Sequence, residues 1–144
     1  MLSLKLCLDF GIIRYLWFLQ CLDNRPSVLR ALENCAREMA FEGARLARIE
    51  CDKFSTPDKP RFVAGDVGPT NKTCSMSPDV SNPAAREITY DELFTDVCEQ
   101  VDGLIEGGAD VILIETIFDT LNCMSSEQGL LSEGRATNST QCNC

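Results

Sequence analysis

The sequence predicts an α/β fold built on a parallel βαβ unit whose sheet keeps open edges. Two short apolar runs, Arg61-Phe62-Val63-Ala64-Gly65 and Val111-Ile112-Leu113-Ile114, are bounded by breakers, as buried parallel strands are. Between them Thr89 and Glu92 have the spacing of a capping box, in which the hydroxyl takes the orphan amide at N3 and the carboxylate reaches back. Behind that box Leu93, Val97, Val101, Leu104 and Ile105 recur at helical spacing until Gly107-Gly108, a stop suited to a left-handed cap. Parallel strands joined through a helix send their following loops to one face, the face on which α/β folds bind ligands. Asp66, Thr70 and Asn71 are therefore expected to face Glu115 and Asp119.

Taken in chain order, the first 22 residues are apolar, with Lys5, Asp9 and Arg14 breaking them before they reach the roughly 18 uninterrupted residues of a membrane span. No cleavage site of small residues follows, so the chain is expected to be cytosolic, without a membrane partner. Pro26 suits the first turn of a helix, and Val28, Leu32, Cys35, Met39, Gly43, Leu46, Ala47 and Cys51 continue a stripe at steps of three and four. A helix over 27–54 follows, with Gly43 as a candidate break into two. Pro57 and Pro60 end it. From Asp66 to Ile88 no period is present, and a loop longer than about 15 residues in a compact domain is functional or disordered. Beyond Asn122 the periodicity fails again, and residues 123–144 read as a polar, disordered tail.

Composition excludes several functions. Net charge is −9 and no Lys/Arg run relieves it, so a phosphate backbone is repelled and nucleic acid is not expected as a partner. There is no histidine, which removes imidazole bases, Ser-His-Asp triads and His-ligated metals from this chain. The nine cysteines are spread evenly, with no C-x-x-C pair. Several fall within helical patterns, where a free thiol behaves as a small hydrophobe, so buried thiols are expected rather than disulfides or a metal site.

The runs Lys59-Pro60-Arg61-Phe62-Val63-Ala64-Gly65, Gly68-Pro69-Thr70-Asn71-Lys72-Thr73, Ser75-Met76-Ser77-Pro78-Asp79-Val80 and Ile114-Glu115-Thr116-Ile117-Phe118-Asp119-Thr120-Leu121-Asn122 occur in this order. Together they resemble the homocysteine-binding (homocysteine S-methyltransferase) domain of cobalamin-dependent methionine synthases. Phe41-Glu42-Gly43-Ala44-Arg45-Leu46-Ala47-Arg48 resembles the helix before this unit. The resemblance covers about residues 39–122, leaving 1–38 as an unmatched apolar and helical segment. It implies part of a (β/α)₈ barrel, about one and a half of its eight units.

In the complete family protein the resemblance implies methyl transfer from methylcobalamin to homocysteine, giving methionine, with zinc on the homocysteine sulfur and with folate and cobalamin domains alongside. This chain departs from the pattern. Nothing matches the family's glycine-rich Asp-Gly turn, and no adjacent Cys-Cys pair is present to hold zinc. No cofactor is therefore expected in this chain, and it is expected to be inactive alone. Homocysteine is the implied ligand. Glu115 is carried over as the carboxylate facing the substrate ammonium, although a strand-end carboxylate also caps a following helix. Asp119 has the same two roles open to it, and Asn71 is the third substrate-binding candidate, with a loop-shaping role as its rival. Two other classes compete. One is a non-catalytic interaction protein associating through exposed strand edges. The other is a phosphate-binding α/β enzyme, which the lack of a G-x-G-x-x-G loop opposes.

Overall fold

The computed structural model describes residues 12–15 and 35–132. Three parallel strands lie in the order β1-β2-β3: β1 is Ile12–Tyr15, β2 is Phe62–Val67 and β3 is Val111–Ile114. The helices are α1, Ala36–Phe54; α2, Tyr90–Glu106; and α3, Thr120–Ser132. Spatial order equals chain order, so the expected βαβ unit is present and β1 extends its sheet by one strand. The register pairs Ile12 with Phe62 and Ala64 with Val111.

The capping box forms as expected. The Glu92 amide donates to Thr89 Oγ1 at 3.3 Å and the Thr89 amide donates to Glu92 Oε2 at 2.9 Å. At the other end of α2, the Ala109 amide donates to the Leu104 carbonyl and the Gly108 amide to that of Ile105, both at 3.0 Å. That pair of bonds is a Schellman cap. Gly108 carries the left-handed backbone, at φ 101°, whereas Gly107 is right-handed.

What Gly107 supplies is space. A Cβ there would lie against the Phe41 carbonyl oxygen and 2.7 Å from Ala44 Cβ, and one on Gly103 would lie against the Arg37 carbonyl oxygen and 3.0 Å from Ala40 Cβ. Two glycines four apart, Gly103 in α2 and Gly107 at its C-cap, thus let the Ala40/Ala44 stripe of α1 approach backbone to backbone. This contact corrects two expectations for α1. The helix runs unbroken through Gly43, which is buried, and Leu46, expected inside, is 45% exposed. The buried stripe is Ala40, Gly43, Ala44, Ala47 and Cys51, because only small residues fit so close a crossing. The helix start expected near 27 lies outside the described residues.

A third correction concerns the tail. Residues 123–132 are not disordered; they continue α3, which packs on α2 and β3. Residues 133–144 lie outside the described residues. The main core joins Leu93, Val97, Val101 and Leu104 of α2 to Ile112 and Ile114 of β3, with Leu130 of α3 completing it. At the amino ends of the strands Asp110 pairs with Arg48 of α1, and its Oδ2 also accepts the Val63 amide at 2.7 Å. Among the described residues no helix is long and apolar enough to cross a membrane. The apolar residues 1–11 and 16–22 lie outside that description.

Candidate functional site

The loops after β2 and β3 leave the same end of the sheet, and α3 ties them together. Asp119 stands before the first turn of α3, where four backbone amides lack partners. Its Oδ1 accepts from the Leu121 amide at 2.9 Å and the Asn122 amide at 3.3 Å, while Oδ2 accepts from the Ser75 amide at 2.9 Å and Ser75 Oγ at 2.8 Å. One carboxylate therefore caps a helix and pins a loop 44 residues earlier. Burial opposes its ionisation, but these hydrogen bonds from Ser75, Asn122 and Leu121 outweigh it and hold the carboxyl below its ordinary range.

Asn122, in the first turn of α3, makes the second tie. Its Oδ1 accepts the Cys74 amide at 3.0 Å, and its Nδ2 donates to Thr70 Oγ1 at 2.9 Å and to the Lys72 carbonyl at 2.8 Å. Both side chains of the pair are almost wholly buried. The long stretch after β2 is thus irregular but ordered: Asp119 and Asn122 satisfy backbone groups between Lys72 and Ser75, and Ser77, Asp79 and Asn82 satisfy others further along. Sequence reasoning gave Asp119 a capping role among its options but assigned none to Asn122 or Ser75. The trace they left is the Asp-x-x-Asn spacing, which puts both at the mouth of one helix.

Glu115 follows β3 directly. Its amide donates to the Val67 carbonyl at 3.2 Å, continuing the β2–β3 ladder by one rung, and its side chain is half-buried. Thr116 then takes φ 58°, a left-handed backbone that costs a β-branched residue on the order of 1–3 kcal/mol. The sheet holds the chain on one side of this turn and the Asp119 network holds it on the other. Asn71 is exposed on the neighbouring loop, where Thr70, Asn71 and Lys72 line a small open pocket of about 170 Å³ against Ile88 and Leu93. Asp66, expected in the loop, instead lies within β2 and is buried, and Gln100 Nε2 donates to its carbonyl at 3.2 Å. The ties through Asn122 and Asp119 thus hold the loops that carry Asn71 and Glu115 together.

Zinc would need a converging set of soft or acidic donors. Among the described residues no group of three or more Cys, Asp or Glu is so placed, and none of Cys35, Cys51, Cys74, Cys98 and Cys123 is in a disulfide. Burial pushes the Cys74 thiol up, with the Asp119 charge adding to it. It pushes the Cys51 thiol up as well, against the lowering effect of Arg48. These are thiols that pack rather than thiolates that bind.

The family model described as Homocysteine S-methyltransferase matches residues 23–139. The match extends on both sides of the quoted motifs and takes in all of α1, β2, α2, β3 and α3. The parallel strands in chain order agree with this match, and the chain belongs to the homocysteine S-methyltransferase family.

Proposed function

We propose that this chain is a segment of the homocysteine-binding (β/α)₈ barrel of a cobalamin-dependent methionine synthase, able to contact homocysteine but not to methylate it alone. The observation that carries the reading is the pinning of the β2 loop onto the start of α3 through Ser75–Asp119 and Thr70–Asn122, which holds the loops that carry Asn71 and Glu115 together. Consecutive parallel strands with a helix after each are also what successive units of a barrel require.

In this reading the Glu115 carboxylate accepts hydrogen bonds from the homocysteine ammonium, Asn71 offers its amide from the neighbouring loop, and Asp119 keeps both loops in register. Cobalamin, when bound in the complete protein, supplies the methyl group, and methyltetrahydrofolate restores it. The donors needed to hold zinc on the substrate sulfur are missing from the described residues. The sulfur therefore stays largely a thiol near neutral pH, and the thiol attacks poorly.

Two measurements test this. Titration calorimetry with L-homocysteine should detect weak binding that Glu115→Gln weakens about tenfold, the worth of one charge-assisted hydrogen bond. 4-Mercaptobutanoate, which lacks the ammonium, should bind the unaltered chain no better than homocysteine binds the variant. Equal affinity of both proteins for homocysteine would remove Glu115 from the site. Separately, the purified chain should form no methionine from methylcobalamin and homocysteine, and elemental analysis should find no stoichiometric zinc. One tightly held zinc per chain would overturn the reading of an inactive segment.

A further inference from the structure

Among the described residues Thr116 is the only non-glycine with a positive φ, and it directly follows Glu115, the carboxylate assigned to the homocysteine ammonium. The left-handed region crowds any Cβ against the backbone, and a β-branched side chain fits it worst. Strain of this kind persists only where the surroundings impose it, and it collects at ligand sites. On one side of Thr116 the Glu115 amide donates to the Val67 carbonyl at 3.2 Å, beside the last rungs of the β2–β3 ladder. On the other side Ile117 is buried in the main core, and Asp119 is fixed by its bonds to Ser75, Leu121 and Asn122.

The alternation of β3 shows what the turn accomplishes. Ile112 and Ile114 enter the core that α2 and α3 cover, so Val111, Leu113 and Glu115, all half-buried, fall on the opposite face of the sheet. Strand geometry continued for two more residues would carry Ile117 to that opposite face as well. Instead Ile117 packs in the same core as Ile112 and Ile114. The left-handed step at Thr116 makes this switch within one residue. Glu115 stays on the face away from the helices while the chain beside it turns into the core.

The residue type matters as much as the conformation. Glycine takes a positive φ without strain, but it also opens the rest of the backbone map. Glu115 would then gain freedom to turn about its link to Ile117. A β-branched residue, once held left-handed, is confined to one narrow well and one stiff side-chain arrangement.

We propose that Thr116 is a positioning residue, whose strained left-handed backbone holds the Glu115 carboxylate in the orientation that meets the homocysteine ammonium. The inference rests on the homocysteine reading, so its test is built around Glu115. In titration calorimetry with L-homocysteine, Thr116→Gly should weaken binding about fivefold, the effect of ordering backbone that threonine holds ready. Its urea midpoint should be no lower than that of the unaltered chain, because released strain offsets the greater freedom of glycine when unfolded. Thr116→Val, the conservative variant that keeps the branch without the hydroxyl, should restore the affinity. In a Glu115→Gln background Thr116→Gly should weaken binding no further, since the charge it positions is gone.

Unchanged affinity of Thr116→Gly beside a weakened Glu115→Gln would overturn the positioning role and leave the homocysteine reading standing. A loss in Thr116→Val equal to that in Thr116→Gly would give the effect to the hydroxyl instead. A lowered urea midpoint in Thr116→Gly, or a full further loss in the double variant, would show that the turn serves the fold and not Glu115. Homocysteine binding that is absent, or that Glu115→Gln does not weaken, would remove both readings.

Discussion

Gly107→Ala is expected to unfold this protein at a far lower urea concentration than the unaltered chain needs. The methyl group has nowhere to go: it meets the Phe41 carbonyl oxygen and lies 2.7 Å from Ala44 Cβ, and backbone cannot swing aside as a flexible side chain can. α1 and α2 must separate, and the separation loosens Val101 and Leu104, both fully buried beneath that crossing. Overpacking of this kind costs about 1–3 kcal/mol, and more where backbone is the obstacle. Net stability of a small domain is only about 5–15 kcal/mol, so a loss of this size is a large share of it. Gly108→Ala provides the contrast. It has room, with Arg48 Cγ at 3.4 Å, and suffers only its left-handed φ of 101°, about 1–2 kcal/mol. Urea titration followed by circular dichroism should therefore rank the unaltered chain above Gly108→Ala, and Gly108→Ala above Gly107→Ala. A Gly107→Ala midpoint equal to that of the parent would show that the helices do not touch here.

The second large effect belongs to Asp119. Asp119→Ala leaves the Ser75, Leu121 and Asn122 amides without their acceptor in a nearly dry site, at about 2–4 kcal/mol for a lost cap together with stranded donors. The loss also has a pH signature. The folded-state pKa is depressed, so the carboxylate stabilises the fold above the unfolded-state value of about 3.9, and that contribution disappears as pH falls through the lower folded value. Stability of the unaltered chain should therefore decline as acid is added below about pH 4. Asp119→Asn, which retains an acceptor oxygen but no charge, should start less stable at pH 7 and decline less steeply over the same window. Parallel acid profiles for the two proteins would mean that Asp119 does not carry this linkage. Homocysteine affinity should fall in Asp119→Ala even though both carboxylate oxygens are occupied by protein donors, because the loops of Asn71 and Glu115 lose their common anchor.

How much of this was legible in the sequence follows from the range over which each interaction acts. The capping box at Thr89 and Glu92, the Gly108 cap and the two strand runs are set within a few residues, and each stands where local spacing put it. The same holds for the family motifs, which are contiguous strings. Those local patterns determined the parallel βαβ unit and the end of the sheet that carries Glu115 and Asn71.

Tertiary structure decided what depends on residues brought together from far apart. Whether Gly43 breaks α1 turns on glycines some 60 residues later, which admit an alanine stripe that would otherwise look too weak to bury. The first part of the 66–88 stretch, from Thr70 to Ser75, is tied by Asp119 and Asn122, side chains about 50 residues away, whereas Ser77, Asp79 and Asn82 bond the later part locally. α3 was illegible for a related reason. Its buried side mixes Asn122, Ser125 and Ser126 with Cys123 and Leu130, while Leu121, Met124 and Leu131 are exposed, so no clean inward apolar period exists to detect. Hydrophobic periodicity reveals a helix only when its apolar residues gather on the face that the core covers, and in α3 they are divided between both faces.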